Sequence, residues 1–458
     1  MRPASSEATD RGAHNMKWLK YVLMVLAPLL AIALALPLFI SLEDYIPQIE
    51  RDVSARLKEP VSIKSIRFST LPVPHITVDG ITIGTTDDIR LGKVQLTPDI
   101  FSLLRSTRVI KHIEIDTLAL SQKMVERIPL WSKSGNVKSP HFRIKNISVN
   151  HALIHSGKAS FGPFVAHVRI DNNGEPESAS MATQDGKFQL LITPEQTHYR
   201  IEANAKGWTL PVGPPLVFDA LSIKGVATLD DASLNQVSAR LYGGTTQGNA
   251  TISWRQGLQL KATLDIRQVE MRKISSMMSS KTHVSGKLSA TPVLSASAAS
   301  MDRLMDGLHL TTPFSIRSGV LYGVDFQKAA AGMLEQGPTG GETYFDQLTG
   351  HLVMDRGSYH FTRLKIASGT LAVNGDVHVS PKRELSGRVS VQLAAVGASS
   401  RVPLNVSGTV DAPLLFPTGG TMAGAAVGTV LMGPGVGTSV GAKIGGWLEN
   451  LFGKTKEQ

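Results

Sequence analysis

The sequence predicts a mainly β protein with a few helices, built of antiparallel strands behind one N-terminal transmembrane helix. Three observations carry that prediction. Residues 21–40 hold no charged side chain and are almost wholly apolar, a stretch long enough to cross the hydrocarbon as a helix of ~20 residues. Beyond it, apolar residues alternate with polar ones at period two, as in strands with one wet face. Glycine is abundant, with 42 residues beside 24 prolines and few aromatics. Glycine after Asp or Asn separates the alternating runs at about ten-residue intervals, as turns do.

Taken in order, residues 1–20 form a cytoplasmic tail and residues 21–40 the span. Lys17 and Lys20 precede the span and Glu43, Asp44 and Glu50 follow it, so the positive-inside rule exports the body. A cleaved signal peptide is the competing reading, because Ala31, Ala33 and Ala35 resemble cleavage-site residues; it exports the body as well. Tyr45, Ile46, Ile49, Val53 and Leu57 recur at helical steps until Pro60, which predicts an amphipathic helix. The period then becomes two, in pairs: Val61/Ile63 and Ile66/Phe68, Ile76/Val78 and Ile81/Ile83, Ile113/Ile115 and Leu118/Leu120, Phe142/Ile144 and Ile147/Val149. The phase slips by one between the members of each set, which requires a kinked strand or a strand-turn-strand step.

Longer alternation follows at Leu258, Leu260, Ala262, Leu264 and Ile266, at Leu371, Val373, Val377 and Val379, and at Val389, Val391 and Leu393. Asp79-Gly80, Asn173-Gly174, Asp185-Gly186 and Asn374-Gly375 read as turns. Short helices are expected at 98–105, 271–281, 300–308 and 325–336. The body divides into an N-terminal β region at 41–215, a middle β/α segment at 216–312 and a C-terminal β region at 313–417. Residues 418–458 form a glycine-rich helical hairpin with an amphipathic end. Gly433, Gly437, Gly441 and Gly445 recur every four residues there, lining one helix face with hydrogen for close packing.

With these elements in place, several stretches resemble the AsmA family of envelope proteins, which also takes in the larger TamB-like chains. "LKEPVSIKSIRFSTLPVPHITVDGITIG" resembles the family's opening, and "LGKVQLTPDIFSLLRSTRVIKHIEIDTLAL" its next step. "ARLYGGTTQGNATISW" resembles the family's strand turn, carried here by Tyr242, Gly243, Gly244 and Gly248. "FDQLTGHLVMDRGSYHFTRLKIASGTLAVNGDVHVS" and "VPLNVSGTVDAPLLFP" resemble its C-terminal region. The resemblance implies an elongated, taco-like antiparallel groove with an oily interior that shelters acyl chains. It places the anchor in a bacterial inner membrane, single-pass, with the body in the periplasm. Lipid transport between membranes, phospholipid first, in support of outer-membrane assembly is the implied function; a non-transporting scaffold or chaperone for outer-membrane proteins is the alternative. Leu258, Leu260, Leu264, Ile266, Val389, Val391 and Leu393 are then the lipid-groove candidates, and Gly437, Gly441 and Gly445 the helix-packing ones. Membrane lipid and the inner membrane are the expected partners, with envelope proteins or a second copy of the chain beside them.

Chemistry finds little purchase in the sequence, and no enzyme is expected. Zero cysteines exclude disulfides, Cys-ligated zinc and thiol catalysis. Gly437, Ser439 and Gly441 spell Gly-x-Ser-x-Gly, but no histidine follows His378, whereas a nucleophile elbow needs one downstream. His151 and His155 are four apart in a segment that reads as strand, so they do not share a helix face. No cofactor or metal is expected. The formal charge of +10 is spread along the chain, local runs such as Arg105, Arg108 and Lys111 read as solvated surface, and nucleic acid is not an expected partner.

Overall fold

The computed structural model describes residues 42–85, 88–102, 105–122, 124, 142–331, 340–369, 371–395 and 398–418. Among them lie 25 strands, three α-helices and a few 3-10 turns, so the mainly β expectation holds. The span expected at 21–40 and the glycine-rich end beyond 418, with Gly437, Gly441 and Gly445, lie outside the described residues. No helix among the described residues is long and apolar enough to cross a membrane. The chain divides into two compact units, one running to His155 and including Gly162–Gln184, the other comprising Ser156–Phe161 and everything from Asp185. The sequence-based boundaries at 215 and 312 do not coincide with this division.

In the first unit, β1 (Val61–Ser69), β2 (His75–Ile83), β3 (Ile89–Pro98) and β4 (Arg108–Ser121) pair antiparallel in chain order. The paired apolar residues align across them. Ile63, Ile81, Leu91 and Leu118 stand in one row, and Ile66, Val78, Val94 and Ile115 in the next. Between the rows every strand slips phase at the same level, with no change of register from β1 to β3. The strands are therefore kinked rather than bulged, and the kinks form one crease. Gly80 is the hinge: its φ is +63°, and a Cβ there would stand 2.9 Å from that of Lys64, a conformation and clearance that favour glycine. The turn expected at Asp79-Gly80 is thus this mid-strand crease.

Strand β5 (Phe142–Ser156) runs parallel to β4, from the Arg108↔Phe142 pair to Ser121↔His155. This corrects the expectation of an antiparallel body throughout. A parallel partner needs a return over the whole strand length, about 46 Å for fourteen residues, which a tight turn cannot supply. β6 (Ala159–Ile170) and β7 (Pro176–Thr183) form a hairpin across the expected Asn173-Gly174 turn, where Gly174 has a φ of +83°.

Helix α1 (Ile46–Leu57) covers the unit's sheet. Pro47 is tolerated in its first turn, and Lys58 in the left-handed region ends it. Ile46 and the preceding Leu42 pack against Ile66, Val78 and Val94. Polar groups of the same helix serve the edge of β1: Ser54 Oγ accepts the Val61 N–H at 2.9 Å, and Glu50 Oε1 accepts the Ile63 N–H at 2.7 Å. Edge amides left open would invite another strand.

The second unit is a meander. β8 (Phe188–Glu195), β9 (His198–Ala205), β12 (Ala220–Ala227), β13 (Asp231–Leu241), β14 (Gly244–Ser253) and β15 (Leu258–Glu270) pair in succession. The intervening β10 (Trp208–Thr209) and β11 (Val217–Phe218) form a small ladder of their own. Along its length β15 meets β17 (Lys287–Ala290) and β18 (Val293–Ala298), and these, with β16 (His283–Val284), pair with β19 (His309–Tyr322). β20 (Glu342–Asp355), β21 (Ser358–Ser368), β22 (Leu371–Val379), β23 (Leu385–Ala395), β24 (Ala398–Thr409) and β25 (Ala412–Pro417) complete the succession. Two-residue turns with left-handed backbone join several hairpins, as at Tyr242-Gly243 and Arg356-Gly357. Helices α2 (Met271–Met278) and α3 (Phe326–Ala330) interrupt the strands; α2 is shorter than the expected 271–281, and only 3-10 turns form at Ile100–Ser102 and Met301–Arg303.

The α1 contacts yield a test. The Glu50→Ala and Ser54→Ala double variant should leave two β1 amides without side-chain partners, at a cost of roughly 1–3 kcal/mol. Hydrogen exchange at Val61 and Ile63 should accelerate while that at Val94 does not; equal protection in both proteins would remove the edge-covering role.

Candidate functional site

One face of the second unit's sheet carries a continuous apolar row. From β15 to β24 the register aligns Val269, Leu288, Ile316, Leu348, Ile366, Val373, Val391 and Val402 in a single cross-strand row. This row is sealed. Val391 is fully enclosed, as is Leu404, and Val389, Val373 and Val402 are buried beside them. Their cover comes from the segment leading into α3 and from α3 itself, whose Phe326, Ala329 and Ala330 are buried in the same cluster. The α3 start is fixed by Asp325, which accepts the Lys328 N–H at 3.0 Å, and by Thr343, whose hydroxyl donates to Val324 O at 2.7 Å and accepts the Phe326 N–H.

A second row on the same face is only half covered. Ala262, Leu294, Leu310, Met354, Tyr359, Val379 and Leu385 align across seven strands, and all are of intermediate exposure. Leu385 lies six residues from Val391 along β23, about 20 Å at the rise of a strand. The cover therefore fades from one end of the strands toward the other.

The groove candidates divide accordingly. Leu258, Leu260, Leu264 and Ile266 are half-buried, with exposed Gln259, Lys261, Thr263 and Arg267 between and after them. They form the period-two face that the alternation predicts. Val389 and Val391 lie in the sealed core, and Leu393 is half-buried against it. What sequence reading missed is the glycine opposite each set. Gly248 pairs with Leu264, where an added Cβ would come 2.1 Å from Thr263 O; Gly375 pairs with Val389, where it would come 2.3 Å from Arg388 O. The expected turn at Asn374-Gly375 is therefore a mid-strand close contact, and the Asx-Gly pair marks both situations alike.

Helix α2 is tethered at both ends. Glu270 accepts the Arg272 and Gly286 N–H groups at 3.2 and 3.1 Å, and Lys287 lies 3.5 Å away. Partial burial opposes ionisation of Glu270, but these donors outweigh it and hold the carboxyl below its ordinary range. At the other end Ser279 Oγ donates to Asp411 at 2.7 Å, and Arg383 approaches the same carboxylate at 2.9 Å. The Ser279 bond, aided by Arg383, lowers the Asp411 pKa. A depression of about 630 Å³ opens beside the β21 bulge at Arg363, lined by Phe314, Leu364, His351, Arg363 and Lys365 among others.

These features define a class: a long-sheet protein whose apolar face exceeds what the helices among the described residues cover. The AsmA family profile matches residues 121–364, just over half of the 458, and the chain belongs to the AsmA family. No individual curated protein and no solved structure matches it.

Two measurements test the division of the face. Leu404→Ala should cost roughly 2–5 kcal/mol, as for an enclosed leucine, and Leu260→Ala clearly less; equal losses in denaturant unfolding would contradict the graded cover. Both tethering carboxylates have lowered folded-state values, so their stabilisation is complete above the ordinary pKa values of 4.5 and 3.8 and is lost as pH falls through the lowered ones. In thermal melts from pH 7 to pH 3, the Glu270→Gln, Asp411→Asn variant should start lower than wild type and lose less on acidification. A parallel decline would dismiss the tethers.

Proposed function

We propose that this AsmA-family protein is anchored in a bacterial inner membrane by residues 21–40, holds its body in the periplasm, and binds or transfers lipid between membranes in support of outer-membrane assembly. The half-covered row from Ala262 to Leu385 supports this most directly. Seven strands spaced at about 4.8 Å carry it over roughly 29 Å. An apolar strip of that length left partly open to water is costly unless something apolar visits it. Acyl chains fit, because they need only dispersion contact and no specific polar partner.

The scaffold reading has an observation of its own: the Val391 end of the same face is dry and filled by protein. The two readings part at β15. A photo-crosslinker at Leu260 or Leu264 should capture lipid in cells, and one at Lys261 should not. Leu264→Asp should block passage while the chain stays folded, because a carboxylate forced into an oily path costs several kcal/mol. Crosslinks to protein alone, with loss of the folded chain in Leu264→Asp, would favour the scaffold.

A further inference from the structure

The first unit concentrates its exposed apolar side chains at one end. The β1–β2 connection leaves the sheet at the Ser69↔His75 pair, and the β3–β4 connection just beyond Thr97↔His112. Since Ile76 pairs with Leu96, both connections project from the same end. Leu71 is 67% exposed and Phe101 78%, with Val73 and Ile100 also exposed beside them. The arrangement of Ile100–Ser102 is held from within. Ser102 is buried, its hydroxyl donates to Asp99 O at 2.7 Å and accepts the Val109 N–H at 2.8 Å, and the Phe101 N–H reaches Asp99 Oδ1. The turn therefore fixes Ile100 and Phe101 outward. At the opposite end, the described residues of the β2–β3 connection, Gly84, Thr85 and Asp88, carry no large apolar side chain.

Helix α1 decides what meets the apolar end. It runs antiparallel to β1, with Ser54 bonded to Val61 and Glu50 to Ile63. Its N-terminal end, Leu42 and Ile46, therefore packs at the Ile66 level, toward the Ser69 end of the strand. Tyr45 is exposed there too. Residue 42 thus emerges beside Leu71 and Phe101. The predicted span ends at residue 40 and the first charge after it is Glu43, and two extended residues reach only about 7 Å. If residues 21–40 cross the bilayer, this end of the unit is held at its surface.

From this juxtaposition we infer that the Leu71 and Phe101 end of the first unit is seated in the interfacial layer of the lipid bilayer that holds the anchor. Its apolar side chains enter among the headgroups, as aromatic and aliphatic residues do at membrane interfaces. Nearby charges are mixed, with Arg67, Arg105 and Lys111 set against Glu43, Asp44 and Asp99, so insertion depends on apolar contact and selects no headgroup charge. The inference rests on the reading of residues 21–40 as a span. It does not depend on lipid passing along the second unit.

The chain has no cysteine, so a single label can be placed without competition. Full-length Leu71→Cys, Phe101→Cys and Thr85→Cys proteins, labelled with bimane, would be reconstituted into phosphatidylethanolamine–phosphatidylglycerol vesicles. All three sites are exposed, and circular dichroism checks that the sheet is retained. The labels at 71 and 101 should be quenched several-fold more by headgroup-level nitroxide lipid than the label at 85, and several-fold less by aqueous iodide. Equal aqueous quenching at all three sites overturns the inference, as does shielding of 71 and 101 from both quenchers, which would mean a protein partner covers them. Flotation separates the underlying reading: a chain that fails to float with alkali-washed vesicles has no anchor, and the inference falls with it. A floating chain with a wet Phe101→Cys label refutes the seating alone.

Discussion

The structure depends on the need to cover a sheet that is wet on one face only. An antiparallel sheet of alternating sequence gains stability only where its apolar face meets something other than water. In the first unit Ile46 of α1 and the preceding Leu42 supply that contact, and the same helix directs Glu50 and Ser54 to the edge amides of β1. In the second unit α3 supplies it, but α3 has five residues against a face that runs through eleven strands from β15 to β25. Cover is complete at Val391 and incomplete at Leu310, Met354 and Leu385. The uneven supply of helix creates the candidate site.

Glycine sets how closely neighbouring strands approach on that face. Gly248 and Gly375 sit where a methyl group would collide with the backbone of the next strand, so Leu264 and Val389 lie across bare main chain. The effect is a face without ridges at those points. In the first unit Gly80 does something different, giving β2 its left-handed residue on the crease shared by the four leading strands, where two sets of apolar residues in opposite phase serve the same core.

Much of this was legible in the sequence because alternation is a local signal. The β15 face was plain from Leu258 to Ile266, and the phase slip in β1 and β2 announced a kink. The Asp79-Gly80 and Asn374-Gly375 pairs misled, because the dipeptide that favours a turn also favours a mid-strand kink or a close strand contact, and only the partner strand distinguishes them. The parallel β4–β5 pairing left no trace, since both strands alternate as antiparallel ones do. Whether Val391 or Leu260 faces open space was equally hidden: it depends on Phe326, Ala329 and Ala330, which belong to a helix distant in sequence from both.

The strand order has a consequence for how the molecule comes into being. Most ladders join strands that lie near one another in sequence, so a hairpin can close soon after its second strand is available, and loop-closure entropy stays small at most steps. A chain delivered to its compartment N-terminus first could thus assemble strand by strand in the order of its emergence, never displaying more than one unsatisfied edge. One exception is β5, whose parallel pairing must wait until the whole strand is available before it can lie along β4. Until then the β4 edge stands open with Ile113, Ile115, Leu118 and Leu120 beside it, and that interval is the moment of greatest exposure to a wrong partner.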